Sequence, residues 1–278
     1  MKTTTKDDLL TFLRRDDLMR ASLVLGRIED PRFNLNTSVD ALLSIAARVW
    51  HLSGGMHEDS IVMVHTINKV LYDELGLQVS ADRSKRVMDD PKRYLLHEVL
   101  DRKVGSPLTM AILYSILCEQ VGVPHECIAI PGNFLIRILD SVDDFYVDPF
   151  DQGRLMNATE FQKKFRSTLQ RNRMMQTNLF EKAGGEQLVS RLAHQLKQTY
   201  VLKGKALEAL QTVEILTALH PESPELARDR GILYCEMEYF SKAMDDLKSY
   251  LKKRPQADDV ADIKKLTTML KGYREIVN

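Results

Sequence analysis

Ser106-Pro107-Leu108-Thr109-Met110-Ala111-Ile112-Leu113-Tyr114-Ser115-Ile116-Leu117-Cys118-Glu119-Gln120-Val121-Gly122-Val123-Pro124 is the stretch on which the reading of this chain turns. Serine is a strong helix N-cap and proline a favoured first helical residue, so Ser106-Pro107 announces a helix start. Leu108 to Val121 is apolar on most sides, and Gly122-Val123-Pro124 breaks it. A helix that is apolar nearly all round is a buried one, which puts this segment at the centre of the molecule. Three short β-rich runs follow, at residues 127–130, 134–139 and 145–147. Asp140 to Asp144 reads as a hairpin turn and Asp148 to Gly153 as a second turn. A buried helix leading into a small antiparallel sheet is an α+β pattern.

Upstream, apolar residues recur at three- and four-residue steps, as at Leu9, Leu10, Leu13 and Leu18, Ala21, Leu25. A helix is expected over 39–52, capped by Ser38 or Asp40, with Leu42, Ile45, Ala46, Val49 and Trp50 on one face. Another is expected over 59–75, stopped by Gly76.

Downstream the chain is helical again and repeats. Tyr200 and Tyr234, Ala209 and Ala243, Pro221 and Pro255, Leu192 and Leu226, and Val213 and Leu247 all lie 34 residues apart. That period, with Tyr, Ala and Pro in register, is the tetratricopeptide pattern. Two units are expected, at about 190–223 and 224–257, with 258–273 as a solvating cap helix. Arrays of this kind present a concave groove, so a protein or peptide partner is expected, with Tyr200 and Tyr234 in the groove. Two units fall short of the roughly three an independent array needs. The repeats are therefore expected to dock on the preceding core through Leu179, Phe180 and Leu188. Two domains are expected, 1–170 and 186–278, with the boundary at 171–185.

Composition narrows the function classes. Lys plus Arg equals Asp plus Glu at 39 each, so the chain lacks the basic excess of a dedicated nucleic-acid binder. No run approaches the ~18 apolar residues of a membrane span, and the charged start does not read as a secretory signal. Three cysteines, none in a Cys-x-x-Cys pair, indicate neither a disulfide framework nor a zinc site and suit a reducing cytoplasm. His57, His65 and His97 have no zinc-ligand spacing, so no metal and no cofactor is expected. The acidic run Asp140, Asp143, Asp144, Asp148, Asp151 lacks the alternation and central glycine of a calcium loop and reads as a solvated edge. Lys163, Lys164, Arg166, Arg171 and Arg173 read as a solvated helix face.

Tyr94-Leu95-Leu96-His97-Glu98-Val99-Leu100-Asp101-Arg102-Lys103-Val104-Gly105-Ser106-Pro107 is followed in order by Gly122-Val123-Pro124, Pro131-Gly132-Asn133-Phe134-Leu135-Ile136-Arg137 and Val147-Asp148-Pro149-Phe150. This set closely resembles the SirB-one family of bacterial cytoplasmic proteins, over roughly residues 35 to 275. The resemblance implies a mostly helical α+β protein. Its core would be of transglutaminase or papain type with a small antiparallel sheet, followed by tetratricopeptide helices.

A working core of that type places a cysteine at the head of its central helix, where dipole and free N–H groups favour thiolate. A histidine on a following strand is its base, and an aspartate on the next strand orients it. On this resemblance the three positions hold Ser106, Asn133 and Asp148. Asparagine cannot take up and return a proton near neutral pH, so Ser106 has no base and no catalytic residue is expected. The resemblance thus implies a degenerate core without the chemistry, in a protein that works by interaction. Cys118 and Cys127 read as buried apolar residues.

Arg102, Ser106, Asn133, Arg137 and Asp148 are the candidate cleft residues. Arg137 lies in an apolar strand and needs a partner; a structural ion-pair network is expected from Arg102, Arg137 and Asp148. Two other readings stay open. One is acyl or amide chemistry by Ser106 or Cys118 with His97, and the other is a small-ligand sensor using Arg102 and Arg137.

Overall fold

The computed structural model describes residues 4–55, 59–79, 90–130, 133–140, 143–171 and 182–277. It divides into two compact units, Met1–Leu192 and Ala193–Asn278.

The first unit opens with α1 (Thr5–Arg14), α2 (Leu18–Leu23) and α3 (Leu35–Leu52). Thr4 and Asp7 form a capping box at α1. The α3 helix starts a turn earlier than expected. Its N-cap is Asn34, whose side chain accepts from the Asn36 N–H, not Ser38 or Asp40. Leu35 and Val39 extend the buried row of Leu42, Ala46 and Val49, so burial favours the added turn. Trp50, expected on the inner face, is 40% exposed.

α4 (Ser60–Asn68) is capped by Asp59 and continues as a wider π turn over Lys69–Glu74, with Gly76 at φ +66° beyond it. After α5 (Leu96–Arg102), Lys103 turns left-handed at φ 62°. β1 (Gln78–Val79) and β2 (Val104–Gly105) then pair in parallel.

The central helix α6 (Pro107–Gln120) begins as expected at Ser106, and every residue from Leu108 to Cys118 is buried. It is followed by β3 (His125–Ile130), β4 (Asn133–Ile138), β5 (Phe145–Asp148) and β6 (Arg154–Met156), an antiparallel sheet in that order. The register pairs Cys127 with Ile136 and Ile136 with Val147, one face of the sheet. It pairs Ile128 with Leu135, and Arg137 with both Glu126 and Tyr146, on the other. That second face packs on α7 (Ala158–Arg171): Ile128, Ile130, Leu135 and Met156 form a cluster with Phe161, and Tyr146 stacks on Phe161 at 4.3 Å. The strand β6 is not apparent in the sequence. It holds three residues between two turns, and its first, Arg154, is charged.

The helix α8 (Gly185–Leu202) runs across the division between the units. The second unit continues with α9 (Ala206–Leu219), α10 (Pro224–Glu236), α11 (Phe240–Lys253) and α12 (Val260–Val277). The 34-residue pattern packs as paired helices. Ala209 and Ala243 are both fully buried. A methyl group on Gly231 would meet Leu247 Cγ at 2.8 Å, so only glycine admits α11 this closely. Lys197 bonds Asp229 at 2.5 Å, Arg228 reaches both Asp229 and Asp259, and the Tyr250 hydroxyl donates to Asp259. These contacts tie α8, α10 and α11 to the segment leading into α12. Leu188 is buried in the first unit, whereas Leu179 and Phe180 lie outside the described residues. Among the described residues no helix is long and apolar enough to cross a membrane.

Candidate functional site

At the head of α6, Ser106 is extended (φ −80°, ψ 161°) and 3% exposed. Its Oγ accepts from the Thr109 N–H at 3.1 Å and lies 2.7 Å from Thr109 Oγ1. Thr109 Oγ1 donates to the Arg93 carbonyl at 2.8 Å, so the remaining proton between the two hydroxyls is Ser106's own. The Ser106 N–H donates to the same carbonyl at 3.1 Å. Each polar atom of this serine that can cap the helix or bind the 91–93 turn is doing so.

Asn133 opens β4 with its backbone opposite Ile130; its side chain lies outside the described residues. Asp148 ends β5 and is fully buried rather than part of a solvated edge. Its Oδ1 accepts from the Phe150 N–H at 3.0 Å and its Oδ2 from Lys164 Nζ at 2.9 Å. Lys164, exposed on α7 as expected, also reaches Asp151 at 2.9 Å. Beside this carboxylate the Tyr72 hydroxyl donates to the Pro149 carbonyl at 3.2 Å. Burial, and then the charge of Asp148, push the Tyr72 phenol up.

The expected grouping of Arg102, Arg137 and Asp148 into one network is not what forms. Arg102 bonds Asp90 at 2.7 Å. Arg137 bonds Asp144, at 2.8 Å through Nε and also through Nη2, and reaches Glu126 at 3.5 Å. Arg102 is neutralised by the residue that caps the 91–93 turn, and Arg137 by carboxylates of its hairpin turn and the neighbouring strand. The bonds to Asp144 raise the Arg137 guanidinium above its ordinary value.

Two of the three thiols are sealed, and Cys235 is partly exposed. Cys118 is fully buried and Cys127 is 3% exposed. Burial pushes the Cys118 thiol far up and the Cys127 thiol to about 12, the latter partly offset by Arg191. His97 packs against Phe33 with ring centroids 4.3 Å apart, and its buried Nδ1 has no hydrogen-bond partner among the described residues. No hydrogen bond among the described residues joins His97 to Ser106 or Cys118. Nor does any group of three or more His, Cys, Asp or Glu among them stand ready to hold a metal ion.

One pair was not foreseen. Ser115 Oγ lies 2.7 Å from His125 Nε2, while His125 Nδ1 is 2.9 Å from the Val123 carbonyl. The carbonyl requires the proton on Nδ1, so Nε2 accepts from the serine. No fixed spacing signals this contact, which arises because α6 packs on the first residue of β3. Ser115 is 6% exposed and sits in the C-terminal half of α6, where the helix dipole disfavours an alkoxide.

Burial holds His125 and His97 below their ordinary value of 6.5. Lys182 pushes the first the same way and Glu126 opposes; Glu98, Asp101 and Glu29 oppose at the second. The unfolded chain therefore takes up protons that the folded chain refuses. The stability these rings supply is present above pH 6.5 and is lost as pH falls from there through the lower folded values. Urea denaturation is expected to show stability falling as the pH drops below about 7, and falling less in His125→Gln.

The second unit carries a groove of about 420 Å³ between α8 and α10. It is lined by Lys197, Gln198, Val201 and Leu202 on one wall and by Asp229, Ile232, Leu233 and Glu236 on the other. Tyr200 and Tyr234, expected there, are 0% and 8% exposed. They fall on the faces that carry Leu196 and Leu226, turned into the helix packing. Val201 and Leu202 are 51% and 63% exposed.

Comparison with known proteins agrees with this architecture. Residues 36–194 match the transglutaminase-like superfamily, and residues 196–268 match the tetratricopeptide repeat. A UPF0162 protein of Xylella fastidiosa (strain Temecula1) is 28% identical over 251 residues, covering 87% of this chain and 86% of that protein. Protein SirB1 of Salmonella typhimurium is 20% identical over 183 residues, 66% of this chain and 67% of that protein. F-box only protein 21 of Mus musculus shares 31% identity over 106 residues, 35% of this chain but only 16% of that protein. No solved structure matches the chain. The chain belongs to the transglutaminase-like superfamily, as a core domain followed by tetratricopeptide repeats and homologous to SirB1 and the UPF0162 proteins.

Proposed function

We propose that this chain is a non-catalytic interaction protein, an adaptor or regulator that keeps a transglutaminase-like core as a scaffold and binds a protein partner through its repeats. The observation that carries the reading is the state of Ser106. On the family resemblance it takes the place of the thiolate, and in support of the reading it is buried with its hydroxyl bonded to Thr109. The burial of Cys118 and Cys127 supports the same reading, as does Asn133 if the resemblance sets it at the histidine position. The open groove between α8 and α10 supplies the alternative use for the molecule.

The test is co-purification of the full chain from its native host, with each protein found then purified and its binding reconstituted. Ser106→Ala is expected to keep the partner, and Val201→Asp, at an exposed groove position, to lose it. Loss of the partner in Ser106→Ala with the fold intact would overturn the reading.

A second reading rests on the contact between Ser115 and His125: serine-based hydrolase or acyltransferase chemistry at the far end of α6. It requires a fluorophosphonate adduct on Ser115 that disappears in His125→Gln.

A further inference from the structure

We infer that the groove between α8 and α10 takes an apolar peptide segment of a partner protein that carries a lysine or arginine immediately after its apolar side chains. This rests on the interaction reading above and names the chemistry of the partner.

The groove's middle is apolar. Val201 and Leu202 face Ile232 and Leu233 across it. Its volume of about 420 Å³ suits a few side chains, at the low end of ligand pockets of roughly 300–1,000 Å³. The long wall runs from Asp229 to Glu236, about 10 Å of helix at 1.5 Å per residue. With Val201 and Leu202 more than half exposed, the groove is open at their end. A small molecule would be left largely in water there, whereas a peptide lies across such a wall and covers it.

Charge sets the direction of the segment. At one end Lys197 and Asp229 are 16% and 19% exposed and bonded to each other at 2.5 Å, so that end offers no net charge. At the other end Glu236 is exposed and makes no ion pair among the described residues. Lys203, the next lysine after Leu202, is not part of the lining. A segment whose apolar residues fill the middle therefore meets an uncompensated carboxylate beyond them. A cation at that point is attracted and an anion repelled.

The experiment uses the full chain and two fluorescein-labelled peptides with the same leucine face, one followed by lysine and the other by glutamate. Fluorescence anisotropy is expected to show the lysine peptide binding about fivefold tighter than its glutamate twin at low salt. Glu236→Lys is expected to reverse the order, and Val201→Asp to abolish both. Equal affinities, unchanged order in Glu236→Lys, or binding of neither peptide would overturn the inference. So would self-association of the chain that Val201→Asp removes, since the occupant would then be a second copy. The reconstituted partner decides separately: if it still needs Val201 while the peptides fail, only the chemistry assigned here falls.

Discussion

Gly153→Ala is expected to destabilise the first unit by about 3–5 kcal/mol. Gly153 stands at φ +70°, where an L-residue costs about 1–2 kcal/mol by itself. The added Cβ would also fall 1.8 Å from Asn68 Oδ1. Asn68 cannot yield freely. Its Nδ2 donates to the Gly153 carbonyl at 2.7 Å, and its Oδ1 accepts from the Tyr114 hydroxyl at 2.9 Å. That amide joins α4, the central helix and the turn before β6 in one place. Gly122→Ala is the control, at φ +77° with nothing within 4 Å of the added carbon, and only the strain cost of about 1–2 kcal/mol should appear. Urea denaturation followed by the single tryptophan, Trp50, reads both. In an Asn68→Ala background the excess cost of Gly153→Ala should vanish. Equal losses at Gly122 and Gly153 would show that the clamp does not hold.

Asp148→Ala is expected to cost about 2–4 kcal/mol, because a buried acceptor is removed from a backbone N–H and an ammonium group at once. The Phe150 N–H loses its partner just where the chain turns from β5 towards β6. Lys164 keeps Asp151 and so is not left uncompensated, which holds the loss below that of an abandoned buried charge. Asp148→Asn retains an acceptor oxygen for Phe150 and should lose about half as much. This makes Asp148 a strut between the sheet and α7. Unchanged stability in Asp148→Ala would remove that role.

What was legible in the chain follows from which forces are local. Capping and helix breaking are local, so Ser106-Pro107 and Gly122-Val123-Pro124 mark the ends of α6 closely. Period is local too, and the 34-residue offset marks the paired helices without reference to any contact between them. The inner face of a repeat helix is not local. Tyr200 follows the buried row of Leu192 and Leu196, so it lies under the groove instead of within it. The start of α3 turned on whether Leu35 had something to pack against, which the residues around Asn34 do not say.

At the candidate site the residue types were legible and their partners were not. Arg137 had to be paired, being in an apolar strand, yet only the hairpin geometry selects Asp144 over Asp148. Asp148 looked like one more member of an acidic run until the sheet buried it. The contact between Ser115 and His125 depends on packing across ten residues of chain and has no signature of its own.

Peptide mapping after brief exposure of the native full chain to iodoacetamide and, separately, to a fluorophosphonate bears most directly on whether this core has lost its chemistry. A thiol held at about 12 has roughly a thousandth of the thiolate of one at 9.0 at any pH below both, so Cys127 should be silent until urea is added, and Cys118 with it. No serine should carry the phosphonate, Ser106 and Ser115 included. A stoichiometric adduct on Ser106, Ser115, Cys118 or Cys127 in the native state would contradict the scaffold reading and make the molecule a catalyst.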